Sequence, residues 1–141
     1  MFRDSMIFSG FSVDNLAEAK KFYGETLGLK VTDLGEMGLI LQFANGGQHF
    51  IYPKEDHQPA TFTVLNFSVE NIEEGVAALK ERGITLEYYE FKYKAGDSGE
   101  TIHAKPDEYG IMRSESPEQG PHIGWFKDPA GNVLSILQDV K

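Results

Sequence analysis

The chain has 141 residues, no cysteine, and 22 acidic against 13 basic side chains, for a net charge of −9. That length suits one domain that removes roughly 70% of its unfolded surface from water. Absence of cysteine excludes disulfides, thiolate ligands and a thiol nucleophile, and fits a reducing cytoplasm. The acidic balance, with no basic cluster, argues against nucleic acid or an anionic membrane as partner. No apolar run reaches the roughly 18 residues of a membrane span, and the N-terminus lacks the pattern of a signal peptide.

Residues 7–13 are predicted as a strand. Asn15, with Glu18 three positions on, provides a helix N-cap. Leu16, Ala19, Phe22, Tyr23 and Leu27 then fall on one helical face, and Gly28 stops the helix. Residues 29–34, 39–43 and 48–52 follow as three strands, the last two joined by the tight-turn signal Asn45-Gly46-Gly47. A charged linker covers residues 53–60.

The opening then recurs: Phe11-Ser12-Val13-Asp14-Asn15-Leu16 returns as Phe67-Ser68-Val69-Glu70-Asn71-Ile72. The second copy has its own strand (residues 62–69), a cap at Asn71 with Glu74, a helix carrying Ile72, Val76 and Leu79, and a stop at Gly83. Residues 85–91 are expected as a strand rich in β-formers. Residues 93–120 form a polar, glycine-bearing insert expected to lack sustained structure, apart from a short strand at Ile111-Met112. Residues 122–127 and 133–138 close the chain as a hairpin around Asp128-Pro129-Ala130-Gly131-Asn132. Internal repetition of a supersecondary unit gives an α+β domain of two pseudo-symmetric βαβββ modules, residues 1–53 and 61–141.

Two such modules, the segment Phe22-Tyr23 to Leu27-Gly28-Leu29, and the closing Trp125-Phe126-Lys127-Asp128-Pro129-Ala130-Gly131-Asn132 resemble the vicinal oxygen chelate superfamily. That group comprises glyoxalases, bleomycin-resistance proteins, fosfomycin-resistance transferases and extradiol dioxygenases. The resemblance implies sheets that curl into a U-shaped cleft, and a homodimer. It also implies a divalent metal held by His or Glu at equivalent strand positions. Those positions here carry Phe8, Val64 and Ser135, while the strand at residues 48–52 offers His49 and no carboxylate. Phe and Val cannot ligate a cation, and a catalytic site needs about three protein ligands. No metal and no other cofactor is therefore expected.

Strand alternation places Gly10, Ser12, Asn66 and Ser68 on the face of Phe8 and Val64, and Phe11, Val13, Phe67 and Val69 on the opposite face. Phe8, Gly10, Asn66, Trp125 and Ser135 are the candidate contacts for a small organic ligand: a largely apolar surface with a few polar points. Parity leaves Trp125 either lining the cleft or packing outside it. Tyr88, Tyr89 and Tyr93 either cap the cleft or are plain β-formers. The histidines show no metal-site spacing; His57 and His103 are expected in solvated loops. Two further readings stand beside ligand binding. One is a metal-dependent lyase, isomerase or dioxygenase with a displaced site built from His49 or His122 and a carboxylate such as Glu87 or Glu90. The other is a non-catalytic interaction protein.

Overall fold

The structure is a computed structural model that describes residues 1–141, Ala95 by its backbone alone. It is a mixed α+β fold of nine strands and two principal helices, divided into two compact units. One comprises Met1–Val64 with Asp128–Asn132, the other Leu65–Lys127 with Val133–Lys141. Among the described residues no helix is long and apolar enough to cross a membrane.

The first unit holds β1 (Ser9–Val13), α1 (Leu16–Lys20), β2 (Lys30–Asp33), β3 (Leu39–Gln42) and β4 (Gln48–Pro53). The sheet order is β1-β4-β3-β2, with β1 parallel to β4 and the other pairs antiparallel. Asn15 caps α1 by accepting from the Glu18 amide at 3.0 Å, as its spacing predicts. The helix continues through a π-helical turn, Lys21–Thr26, in which the Leu27 amide reaches back to the Phe22 carbonyl at 2.8 Å. This widened turn lets two consecutive aromatic residues, Phe22 and Tyr23, both be buried. Tyr23 packs on Phe11 at 6.0 Å, within a core that includes Val13, Leu39, Leu41 and Ile51.

The turn after residue 127 anchors this unit. Asp128 accepts from the Tyr23 hydroxyl at 2.7 Å and from the Asn132 amide at 2.8 Å. Asn132 Nδ2 donates to the Ser12 carbonyl, and its Oδ1 accepts from the Ala60 amide. A carboxylate this deeply buried (5% exposed) requires such partners. Burial first, then the Asp128 charge, raises the Tyr23 phenol far above its usual range, so it stays a donor. His57 belongs to the same network, contrary to the expected solvated loop. Its Nδ1 lies 2.7 Å from Ser12 Oγ and its Nε2 3.0 Å from the Ala130 carbonyl.

In the second unit, β5 (Thr63–Ser68), β9 (Val133–Gln138) and β8 (His122–Lys127) form a sheet in that order, and α2 (Ile72–Glu81) packs on β9. Asn71 caps α2 through the Glu74 amide at 3.0 Å, the counterpart of Asn15. Gly75 allows the approach: a Cβ there would stand 2.4 Å from Ile136 Cδ1. The helix-side face of the sheet carries Phe67, Phe126, Leu134 and Ile136.

Two expectations need correction. Residues 85–90 do not form a strand, Glu87 alone bridging to Trp125, and residue 91 begins the hairpin described below. The free edge of β8 is shared, because Met112 bridges to Ile123 beside it, so neither segment can extend its pairing. The insert is not structureless either. β6 (Phe91–Ala95) and β7 (Glu100–Ala104) make an antiparallel hairpin across a 3-10 turn, Gly96–Ser98. Phe91 and Tyr93 stand opposite Ala104 and Ile102, while Lys92 and Lys94 stand opposite His103 and Thr101. The two-residue alternation was present in the sequence, masked by its charges and glycines.

A candidate ligand-binding face on the second sheet

Three of the five candidate residues meet on the sheet face away from α2. Trp125 and Ser135 are directly opposed in the β8–β9 ladder, so their side chains stand side by side. Ser135 is fully buried and donates its hydroxyl to Asn66 Oδ1 at 2.5 Å. Asn66 itself is exposed. Its oxygen is thus held by Ser135, which leaves the two donors of its amide NH2 without a role in that bond.

Aromatic side chains flank this polar pair. Tyr89 meets the Trp125 indole edge-on, with centroids 5.7 Å apart at 74°, and Phe91 meets it at 5.6 Å and 58°. Both geometries are favourable tilted pairings that fix the indole plane. Trp125 therefore lies on the Ser135 face, which settles its parity. Phe91 was missed from sequence; the signal was its two-residue spacing from Glu87 and Tyr89, which lands all three beside Trp125. Glu87 stands 3.9 Å from Lys127 at one end of the face.

The other two candidates belong to the first unit. Gly10 lies on β1 against β4, where a Cβ would come within 3.0 Å of the Phe50 carbonyl oxygen. It borders a shallow cavity of about 510 Å³, together with Ser12, Tyr52 and Asn132. Phe8 precedes β1 and is 63% exposed.

The donor set does not fit a divalent cation. Phe8 and Val64 have no donor atom, and the Ser135 hydroxyl is engaged by Asn66. His49 lies on the Phe11 face of its sheet, its ring tilted at 41° against Phe11 with centroids 4.6 Å apart, and Nδ1 is 2.6 Å from Ser9 Oγ. Its Nε2 is buried without a partner, and burial pushes its pKa down to about 4. His122 Nδ1 accepts from the Ser114 amide. Glu90 is held by Tyr88 and His103, an exposed cluster in which the Tyr88 and then the His103 hydrogen bond lowers the carboxyl pKa. Among the described residues no group of three or more His, Asp and Glu is placed to hold a metal ion. Within the second unit, His122 and the carboxylates Glu87 and Glu90 make no such group.

Comparisons with known proteins agree with the fold. A family model described as the glyoxalase/bleomycin resistance protein/dioxygenase superfamily matches residues 8–136. A search of curated proteins finds no match. Among solved structures, the fosfomycin resistance protein FosX from Listeria monocytogenes is 11% identical with a TM-score of 0.66, over 97% of this chain and 94% of that one. The antibiotic binding protein TnmS3 from Streptomyces sp. CB03234 is 20% identical with a TM-score of 0.63, over 97% and 98%. A glyoxalase family protein from Enterococcus faecalis is 22% identical with a TM-score of 0.61, over 97% and 99%.

Proposed function

We propose that this chain, which belongs to the glyoxalase/bleomycin resistance protein/dioxygenase superfamily, binds a small organic molecule on the face of its second sheet that carries Trp125 and Ser135, without a metal centre. The observation that supports the reading is the cluster of Tyr89 and Phe91 on Trp125, which stands opposite the Ser135 that bonds Asn66. Flat apolar rings would hold the body of a ligand, and Asn66, fixed by Ser135, would orient it through a carbonyl or hydroxyl acceptor. Phe8 and Gly10 remain candidate contacts of the first unit. The similarity in fold to a protein described as antibiotic binding supports sequestration of a compound as one use of such a face. The protein would act in the cytoplasm as a homodimer.

The single tryptophan makes the test direct. A thermal-shift screen of aromatic metabolites and aromatic or glycopeptide antibiotics should find compounds that raise Tm, by about 2.7 kcal/mol of added stability at a concentration a hundred times Kd. The same compounds should change Trp125 fluorescence with a matching Kd. Stabilisation that leaves the indole emission unchanged, or no stabilisation by any compound, would remove the reading.

A further inference from the structure

A second concavity lies beside α2, and every residue that lines it belongs to the second unit. It encloses about 560 Å³, a volume suited to a small molecule. One wall is a single stripe of the helix. Glu73, Val76, Ala77 and Lys80 recur at helical spacing, so an apolar pair sits between two charged ends. Ile84 and Leu86 add apolar surface from the segment after the helix, and the loop at residues 108–111 completes the lining.

These surfaces are held in place from within the unit. Leu86 packs where two side chains are missing: a Cβ on Gly110 would stand 3.0 Å from Leu86 Cβ, and one on Gly124 2.7 Å from Leu86 Cδ1. Asp107 accepts from the Tyr109 and Ile111 amides and from Arg113 Nε, and Arg113 in turn bonds Glu73 on α2 at 2.6 Å. Loop and helix are thereby tied together, and the charges of Asp107, Arg113 and Glu73 answer one another. A cavity shaped in advance loses little to ordering when a ligand enters. Two charges are left over. Lys80 and Glu108 are exposed, and neither side chain has an ion-pair or hydrogen-bond partner among the described residues, the other of the two included.

We infer that this cavity binds an apolar zwitterion of the amino-acid type, with its carboxylate at Lys80, its ammonium at Glu108 and its side chains against Val76, Ala77, Ile84 and Leu86. The free charges select this class. An anion drawn to Lys80 would share the cavity with the Glu108 carboxylate, and a cation drawn to Glu108 would share it with Lys80. A molecule with one charge of each sign answers both, and an apolar body covers the surface between them. Free hydrophobic amino acids and short apolar peptides have this chemistry in common. The site is separate from the Trp125 face and does not depend on it.

The test is calorimetric titration of the full chain at low salt with L-leucine, L-phenylalanine and the dipeptide Leu-Phe, together with their N-acetyl and carboxamide forms. At least one zwitterion should bind, and capping either end should weaken it about three- to fivefold, as expected for exposed ion pairs. Binding of the free amino acids or of the dipeptide alone tells which source the site accepts. Lys80→Gln should weaken the zwitterion by the same factor and leave its carboxamide form unchanged. Glu108→Gln should do likewise and leave the N-acetyl form unchanged. Both positions are exposed, so the fold should survive, with unchanged circular dichroism. Ala77→Arg, also at an exposed position, fills the cavity and should abolish binding, while Asn66→Leu should not alter it. No binding of any zwitterion at millimolar concentration would overturn the inference and leave the Trp125 face untouched. Affinities indifferent to capping and to both charge substitutions, or binding that survives Ala77→Arg, would overturn it as well.

Discussion

Ser135 and Asn66, far apart in the chain, are joined by a 2.5 Å hydrogen bond in which the buried hydroxyl donates to the exposed amide oxygen. Where relatives are expected to place a metal-ligating carboxylate, this chain uses a neutral serine to orient a neutral amide. Under the proposed function Ser135 would be a positioning residue, and Asn66 the group that meets a ligand. Ser135→Ala should cost about 1 kcal/mol of stability and weaken binding of a screened compound about tenfold. Asn66→Leu should weaken binding at least as much, with little change in Tm, because Asn66 is exposed. Calorimetric titration and thermal melts of the two variants give both quantities.

Tyr23→Phe removes a single hydroxyl and leaves the buried Asp128 carboxylate with the two bonds from Asn132. A hydrogen bond to a charged group contributes about 1.5–3 kcal/mol, so the loss should appear as a Tm lower by several degrees. Asn132→Ala should cost more, because it also frees the Ser12 carbonyl and the Ala60 amide. Denaturant melts that rank the two variants in the reverse order would contradict this account of the turn.

His49 makes stability depend on acid. Buried in the folded chain it holds a pKa near 4, against 6.5 when unfolded. Between those values the unfolded chain binds the extra proton, so stability rises with pH. The contribution of neutral His49 is intact above about pH 6.5, declines as pH falls toward 4, and falls no further below that. The depression corresponds to at most about 3 kcal/mol. His49→Phe should flatten the melt profile across this window and leave stability at neutral pH equal or higher, since it also removes the orphaned Nε2.

The β6–β7 hairpin pairs with no other strand among the described residues. Replacing residues 94–101 by a two-residue Asn-Gly turn should therefore leave Tm within about 1–2 °C of the parent, as for an exposed loop tip. Phe91→Ala, in contrast, strips one ring from the Trp125 indole and should shift its emission to longer wavelength.

Much of this molecule was legible in the sequence. The caps at Asn15 and Asn71, the turn at Asn45-Gly46-Gly47 and the closing hairpin follow from local chemistry, and each forms as expected. What was not legible depends on competition between distant segments. Residues 85–91 have strand propensity, but the β8 edge they would extend along is divided with Met112. The hairpin at 91–104 keeps a period of two that its lysines and glycines disguise. His57 lies in a charged linker and is recruited by Ser12 and Ala130, partners that no local pattern announces. At the candidate site, strand parity named Asn66 and the family resemblance named Ser135, while the partnership of Trp125 with Phe91 required knowing that Glu87 bridges to it.

The most direct test of ligand binding without a metal is a nitrogen–proton NMR titration in EDTA with an aromatic compound from the thermal-shift screen. The account predicts that the one indole signal, from Trp125, and the side-chain amide pair of Asn66 move together with a single Kd. Binding that leaves both signals in place, or that disappears when EDTA is added, would contradict it.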